Sequence, residues 1–258
     1  MLGAIVGDYI GSVHEHRGTK RKDFAILDPH CSVTDDSILT LAVAEWVMDG
    51  GDLVARFHQL VSAFPFAGWG GMFRRWARAG SREPYNSFGN GAAMRVSPVG
   101  WAFASLEETL DAAAASSAVT HDHPEGIKGA QATAAAVFLA RTTRDKHMIR
   151  DEVTRRFGYD LSRSLADIRP AYAFDETCQG TVPEAITAFL EADDFEDAIR
   201  NAISLGGDAD TLACIAGAIA HAHFGALPPE LTAPALRAVP ETLRPIWLKF
   251  QERYRVPA

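Results

Sequence analysis

An all-α fold is what this sequence predicts, and three observations predict it. Apolar residues recur at helical spacing along most of the chain, alanine is abundant, and strand-like alternation bounded by turn residues is scarce. The longest regular stretches cover roughly residues 34–49, 105–118, 124–141, 183–203, 208–224 and 240–254.

Each element has its own signals. The N-terminal stretch carries Gly3, Gly7 and Gly11 at four-residue spacing. Each glycine costs a helix about 1 kcal/mol against alanine, so a neighbouring backbone is expected to approach closely there. In that helix Asp8, Gly11 or Ser12, and Glu15 lie three, four and seven residues apart and so share one face, with the two acids about 10 Å apart along the axis. They read either as acids facing a polar cavity or as a surface pair. The 34–49 stretch opens at Thr34 and closes at Gly50-Gly51. Pro124 and Pro183 are placed to open the next helices, where a missing amide hydrogen costs nothing. Gly225 closes the stretch that begins after Gly206-Gly207. Glycine and proline mark joints at 64–71, 80–91, 97–100 and 225–229. With no repeat, no low-complexity linker and no shift in composition, residues 1–258 are expected to form one compact domain.

Composition bounds the function. The chain is 47% hydrophobic and 22% charged, with a formal net charge of −8. Its acidity argues against a large nucleic-acid footprint, though not against an anionic ligand held by backbone amides and metal ions. Cys31, Cys178 and Cys214 are too scattered to form a metal motif and read as reduced thiols, with Cys214 in the core. The start, MLGAIVGDYIGSV, lacks a basic leading region and makes a poor signal peptide. No apolar run reaches about 18 residues, so no membrane span is expected. A cytoplasmic monomer is the expectation.

Two acidic clusters carry the chemistry. Ser32-Val33-Thr34-Asp35-Asp36-Ser37 precedes ILTLAVAEWVM, and Gly206-Gly207-Asp208-Ala209-Asp210-Thr211 precedes LACIAGAIAHAHFG. Each sets two carboxylates and a hydroxyl at the start of an apolar helix. Oxygen-only sets suit hard cations such as Mg²⁺ or Mn²⁺ rather than zinc. Asp and Thr also serve as ordinary helix caps, and for Asp35 and Asp36 alone that reading stays open. The second cluster is harder to explain so: its Ala- and Gly-rich helix must be buried, where paired carboxylates repel and lose hydration unless cations compensate.

Between the clusters lies Tyr85-Asn86-Ser87-Phe88-Gly89-Asn90-Gly91-Ala92. Free amides from Gly89 to Ala92 would suit a diphosphate, and Tyr85 and Phe88 could stack on a base or ribose. The same residues also make an ordinary Asn-Gly turn. Further on, Thr120-His121-Asp122-His123 precedes Pro124; no third ligand stands at zinc spacing, and His121 reads as a hydrogen-bonding group or as part of an exposed capping loop. There is no Gly-x-Ser-x-Gly elbow, Walker loop or His-Glu-x-x-His.

Taken in order, these motifs resemble the ADP-ribosylglycohydrolases. Gly7 to Glu15 looks like that family's N-terminal signature, Thr34-Asp35-Asp36-Ser37 like its first metal motif, and Gly207 to Thr211 like its second. Ser87 to Gly91 and the Thr120-His121 pair also match. Ser37 stands where threonine is more usual, and Phe88 where some members have tyrosine.

The resemblance implies an all-α orthogonal bundle holding two Mg²⁺ or Mn²⁺ ions. Thr34, Asp35, Asp36, Asp208, Asp210 and Thr211 would be the ligands, with one aspartate of the second motif shared. Glu15, Asp35 and Asp210 are then the candidate catalytic carboxylates, and Tyr85, Ser87, Phe88, Gly89, Asn90, Gly91 and His121 the substrate-binding group. The implied activity is removal of ADP-ribose from a protein or small conjugate. Arginine, serine, O-acetyl and nucleic-acid linkages are not distinguished. An inactive ADP-ribose-binding relative and a metal hydrolase for another phosphoester are the alternatives. Loops 64–85 and 157–182 are expected to carry acceptor specificity.

Overall fold

Fifteen helices make up the structure, a computed structural model describing residues 1–258. In chain order they are α1 (Leu2–Gly11), α2 (Asp35–Asp49), α3 (Leu53–Ala63), α4 (Gly71–Arg78), α5 (Gly91–Met94), α6 (Val99–Ala102), α7 (Leu106–Ala118), α8 (Pro124–Thr143), α9 (Lys146–Phe157), α10 (Leu165–Ile168), α11 (Cys178–Leu190), α12 (Phe195–Ile203), α13 (Ala209–Phe224), α14 (Pro229–Ala238) and α15 (Arg244–Tyr254). There is no strand; the only β pairing is an isolated bridge between Gly89 and Thr177. The all-α expectation holds. No helix is long and apolar enough to cross a membrane.

The glycines at the N-terminus explain the centre of the fold. α1 runs antiparallel to α13, backbone against backbone. A Cβ placed on Gly3 would lie 2.1 Å from the Gly217 carbonyl oxygen, one on Gly7 2.0 Å from that of Ala213, and one on Gly11 2.5 Å from Asp210 Cα. Only hydrogen fits on that face. The C-terminal end of α1 therefore abuts the N-terminus of α13, which is buried along nearly its whole length. One hydrophobic cluster reaches from Met1 to Val256 and encloses this pair. Cys178 and Cys214 are buried and Cys31 is partly so, all three free.

Caps behave largely as expected. Thr34 caps α2 and Pro124 takes the first turn of α8, as read from the sequence; the structure adds a capping box of Ser105 with Glu108 on α7 and His123 as the cap of α8. Two expectations fail. Residues 183–203 are two helices, not one: Thr177 caps α11 six residues before the proline, Pro183 lies inside it, and Asp194 caps α12 by accepting from the Asp197 amide at 2.8 Å. The N-terminal helix also stops at Gly11, and residues 12–17 form a turn. Asp8 and Glu15 therefore do not share a helix face; Glu15 reaches the site on that turn.

Candidate metal centre and substrate cleft

The meeting of α1 and α13 brings Asp8 beside Asp210, and α2 enters the same spot through Thr34. Asp8 ties α1 to α2. Its carboxylate accepts from the Thr34 amide at 3.0 Å, the Thr34 hydroxyl at 2.7 Å, the Ser37 amide at 3.2 Å and the Ser37 hydroxyl. The Thr211 hydroxyl faces Asp36 Oδ2 at 3.4 Å, linking the starts of α2 and α13. Gly206 adopts φ +68°, and a Cβ on Gly207 would strike the Tyr172 ring at 2.4 Å, so both glycines are required where the chain turns into α13.

Two carboxylate groups result. Oxygens of Asp8, Asp36 and Asp210 lie within 4.8 Å of one another, as do those of Glu15, Asp208 and Asp210. Asp210 belongs to both. Asp35 belongs to neither but lines the cleft beside them, and a Cβ on Gly68 would lie 3.4 Å from its Oδ1.

The electrostatics of this cluster are unfavourable without counter-charge. Burial, then the charge of Asp210, pushes the Asp8 carboxyl up to about 7. The same causes hold Asp35, Asp36 and Asp208 well above the usual carboxylate range and raise Glu15. Asp36 is 2% exposed, and its Oδ1 has no hydrogen-bond partner. Buried acids of one sign with an unpartnered oxygen are what a hard cation satisfies, and the all-oxygen donor set fits such an ion.

One cleft opens onto the cluster, and all fourteen residues singled out from the sequence line it. Glu15, Thr34, Asp35, Asp36, Asp208, Asp210 and Thr211 form its acidic floor. Phe88, 44% exposed, stands on the wall beside Ser87, and Tyr85 packs between Trp76 and His121 at ring separations of 6.0 and 5.9 Å. His121 is buried against the glycine loop, not displayed on an exposed capping loop.

The loop differs from expectation in its amides. Gly89 donates to the Ser87 hydroxyl at 3.1 Å and Asn90 to the Glu176 carbonyl at 2.7 Å, so two of the four amides expected to be free are engaged. The Asn90 side-chain amide is likewise engaged, donating to Asp208 Oδ2 on the acidic floor at 2.7 Å and to Thr181 Oγ1 at 3.1 Å.

Some lining residues carry no sequence signal. Asp8 was legible as an acid on the glycine helix but not as a member of the carboxylate cluster. Glu176 and Thr177 reach the cleft through the bridge to Gly89, and Arg95 through α5; no motif spacing marks them. Of the loops expected to carry specificity, Gly68, Met72, Phe73, Glu176 and Thr177 are at the cleft.

Comparison with known proteins agrees with this geometry. Residues 1–254 match the family model of the ADP-ribosylglycohydrolases. ADP-ribosylhydrolase ARH3 of Bos taurus is 26% identical, over 87% of this chain and 84% of its own. The ADP-ribosyl-[dinitrogen reductase] glycohydrolase of Rhodospirillum rubrum is 26% identical over the same shares. A solved structure, described as an ADP-ribosylglycohydrolase-related protein complex, superposes with a TM-score of 0.69 at 26% identity, covering 98% of this chain and 96% of that one. The chain belongs to the ADP-ribosylglycohydrolase family, enzymes that hydrolyse glycosyl bonds to ADP-ribose.

Proposed function

We propose that this chain uses two Mg²⁺ or Mn²⁺ ions to cleave the glycosidic bond between ADP-ribose and a protein side chain or related acceptor, releasing ADP-ribose. The observation that carries the reading is Asp210, whose carboxylate completes both three-acid groups and so can bridge two ions. Asp8, Asp36 and Asp210 would hold one and Glu15, Asp208 and Asp210 the other, with Thr34, Asp35 and Thr211 at their edges. Bound there, the ions would supply Lewis-acid polarisation of a water and of substrate hydroxyls.

The chain's own residues supply the rest. Departure of an acceptor from the anomeric carbon builds positive charge on the sugar, and the ring of carboxylates favours it. Glu15 sits on a turn at the rim of the acidic floor and, of the clustered acids, keeps the largest access to the cleft. Burial and Asp210 raise its carboxyl, which favours its holding a proton for transfer between water and leaving group. Ser87 to Gly91, with Tyr85 and Phe88, form the wall on which an ADP-ribose would lie, and the missing side chains of Gly89 and Gly91 leave room beside His121. The connected core supports reading 1–258 as one domain.

The test is a panel of arginine-, serine-, O-acetyl- and nucleic-acid-linked ADP-ribose, assayed with Mg²⁺ or Mn²⁺ and again with chelator. Release of free ADP-ribose from one linkage, abolished by chelator, is the expected result. No release from any of them by folded, ion-loaded protein would overturn the proposal.

A further inference from the structure

Arg95 follows α5 directly and is fully buried, its guanidinium 4.8 Å from the centre of the Phe57 ring. One terminal nitrogen donates to the Ser116 carbonyl at 3.1 Å and to the Thr120 hydroxyl oxygen at 2.8 Å. That hydroxyl lies 2.7 Å from His121 Nδ1. Thr120 is itself fully buried, and these are the only two partners of its side chain.

Proton counting decides the direction. Arginine has no acceptor, so it must donate to Thr120 Oγ1. The hydroxyl hydrogen then has one acceptor within reach, His121 Nδ1, which must be bare to receive it. The ring proton is left on Nε2. That nitrogen makes no hydrogen bond within the chain and points at the glycine loop, where a Cβ on Gly91 would lie 3.3 Å away and one on Gly89 3.6 Å.

We propose that Arg95 and Thr120 are positioning residues that hold His121 in the tautomer carrying its proton on Nε2, a hydrogen-bond donor to an acceptor oxygen of the bound ADP-ribose. The ligand in this statement rests on the function proposed above; the tautomer does not. His121 is thereby a donor at this wall of the cleft, not a base. Burial and the neighbouring Arg95 charge also keep the imidazole neutral, in agreement with that role.

Nitrogen NMR of the full chain, ¹⁵N-labelled at histidine and loaded with Mg²⁺, tests it. The chain has nine histidines, and the His121→Gln variant identifies the relevant resonances. A bare Nδ1 and a protonated Nε2 near neutral pH are expected; protonation at Nδ1, or at both nitrogens, overturns the proposal. Thr120→Val should mix the tautomers and weaken ADP-ribose binding about tenfold by calorimetry, as for loss of one hydrogen bond, while Thr120→Ser restores both. Unchanged affinity in folded Thr120→Val would also overturn it. If Thr120→Val does not fold, the wild-type spectrum decides the tautomer alone. Failure of the wild-type chain to bind ADP-ribose would sink the ligand and leave the tautomer readable, so the two failures are distinct.

Discussion

The side-chain amide of Asn90 donates to Oδ2 of Asp208 at 2.7 Å, joining the glycine loop on one wall of the cleft to the acidic floor. The loop thereby orients a carboxylate that lies 118 residues away in sequence. Groups that orient a metal ligand typically contribute 10- to 100-fold to ion affinity. Asn90→Ala is expected to weaken Mn²⁺ binding by that range in a titration followed by calorimetry, with the helical circular dichroism unchanged. Undiminished affinity would remove Asn90 from the support of the site.

Charge neutralisation at Asp36 should separate stability from function. In chelator the carboxylates repel one another, so Asp36→Asn is expected to raise the melting temperature of the ion-free protein. The same variant should lose most of the thermal shift that saturating Mg²⁺ gives the wild type; binding at a hundred times Kd stabilises by about 2.7 kcal/mol. A lower ion-free melting temperature would mean that Asp36 is a structural cap and not a strained ligand.

The ion-free protein should also be less stable at higher pH. Asp8 is raised in the folded state to about 7, so the folded chain binds that proton more tightly than the unfolded chain does. Its contribution is present in acid and is lost as pH rises from about 4 through 7, at up to roughly 1.4 kcal/mol per unit. Urea midpoints measured in chelator across that window should fall, and Mg²⁺ should flatten the slope.

For the reaction, Glu15→Gln and Asp210→Asn should each lower turnover by at least about 10²-fold, the usual minimum for a proton-transferring or ion-bridging carboxylate. Normal rates in either, with ions bound, would exclude that residue from the chemistry.

Gly7→Ala tests the packing beneath the site. Its Cβ would fall 2.0 Å from the Ala213 carbonyl oxygen, inside any van der Waals contact, so α1 and α13 would have to separate. A loss of about 3 kcal/mol or more in urea unfolding is expected, at or beyond the upper end of ordinary overpacking.

How much of this was legible follows from the kind of signal each residue leaves. Thr34-Asp35-Asp36 and Asp208-Ala209-Asp210 stand at helix starts, where local chemistry marks an element boundary, and both their helices and their place in the cleft could be read. The glycine ridge was readable as close approach because three glycines in one helix need a reason. Asp8 was not readable as part of the cluster, since an acid in a helix looks the same on a surface as against a buried neighbour. Arg95, Glu176 and Thr177 reach the cleft only through tertiary contacts. At Pro183 a helix-start signal misled: proline is tolerated six residues after Thr177, while the Asp194 cap made the real boundary.

The acidic floor is stitched from the two ends of the chain: Thr211 meets Asp36 across 175 positions. The first two hundred residues carry Asp8, Glu15, Asp35 and Asp36, but neither Asp208 nor Asp210. The acidic floor is therefore complete only once α13 has packed against the glycines of α1, so the last site-bearing helix to leave the ribosome is also the one that closes it.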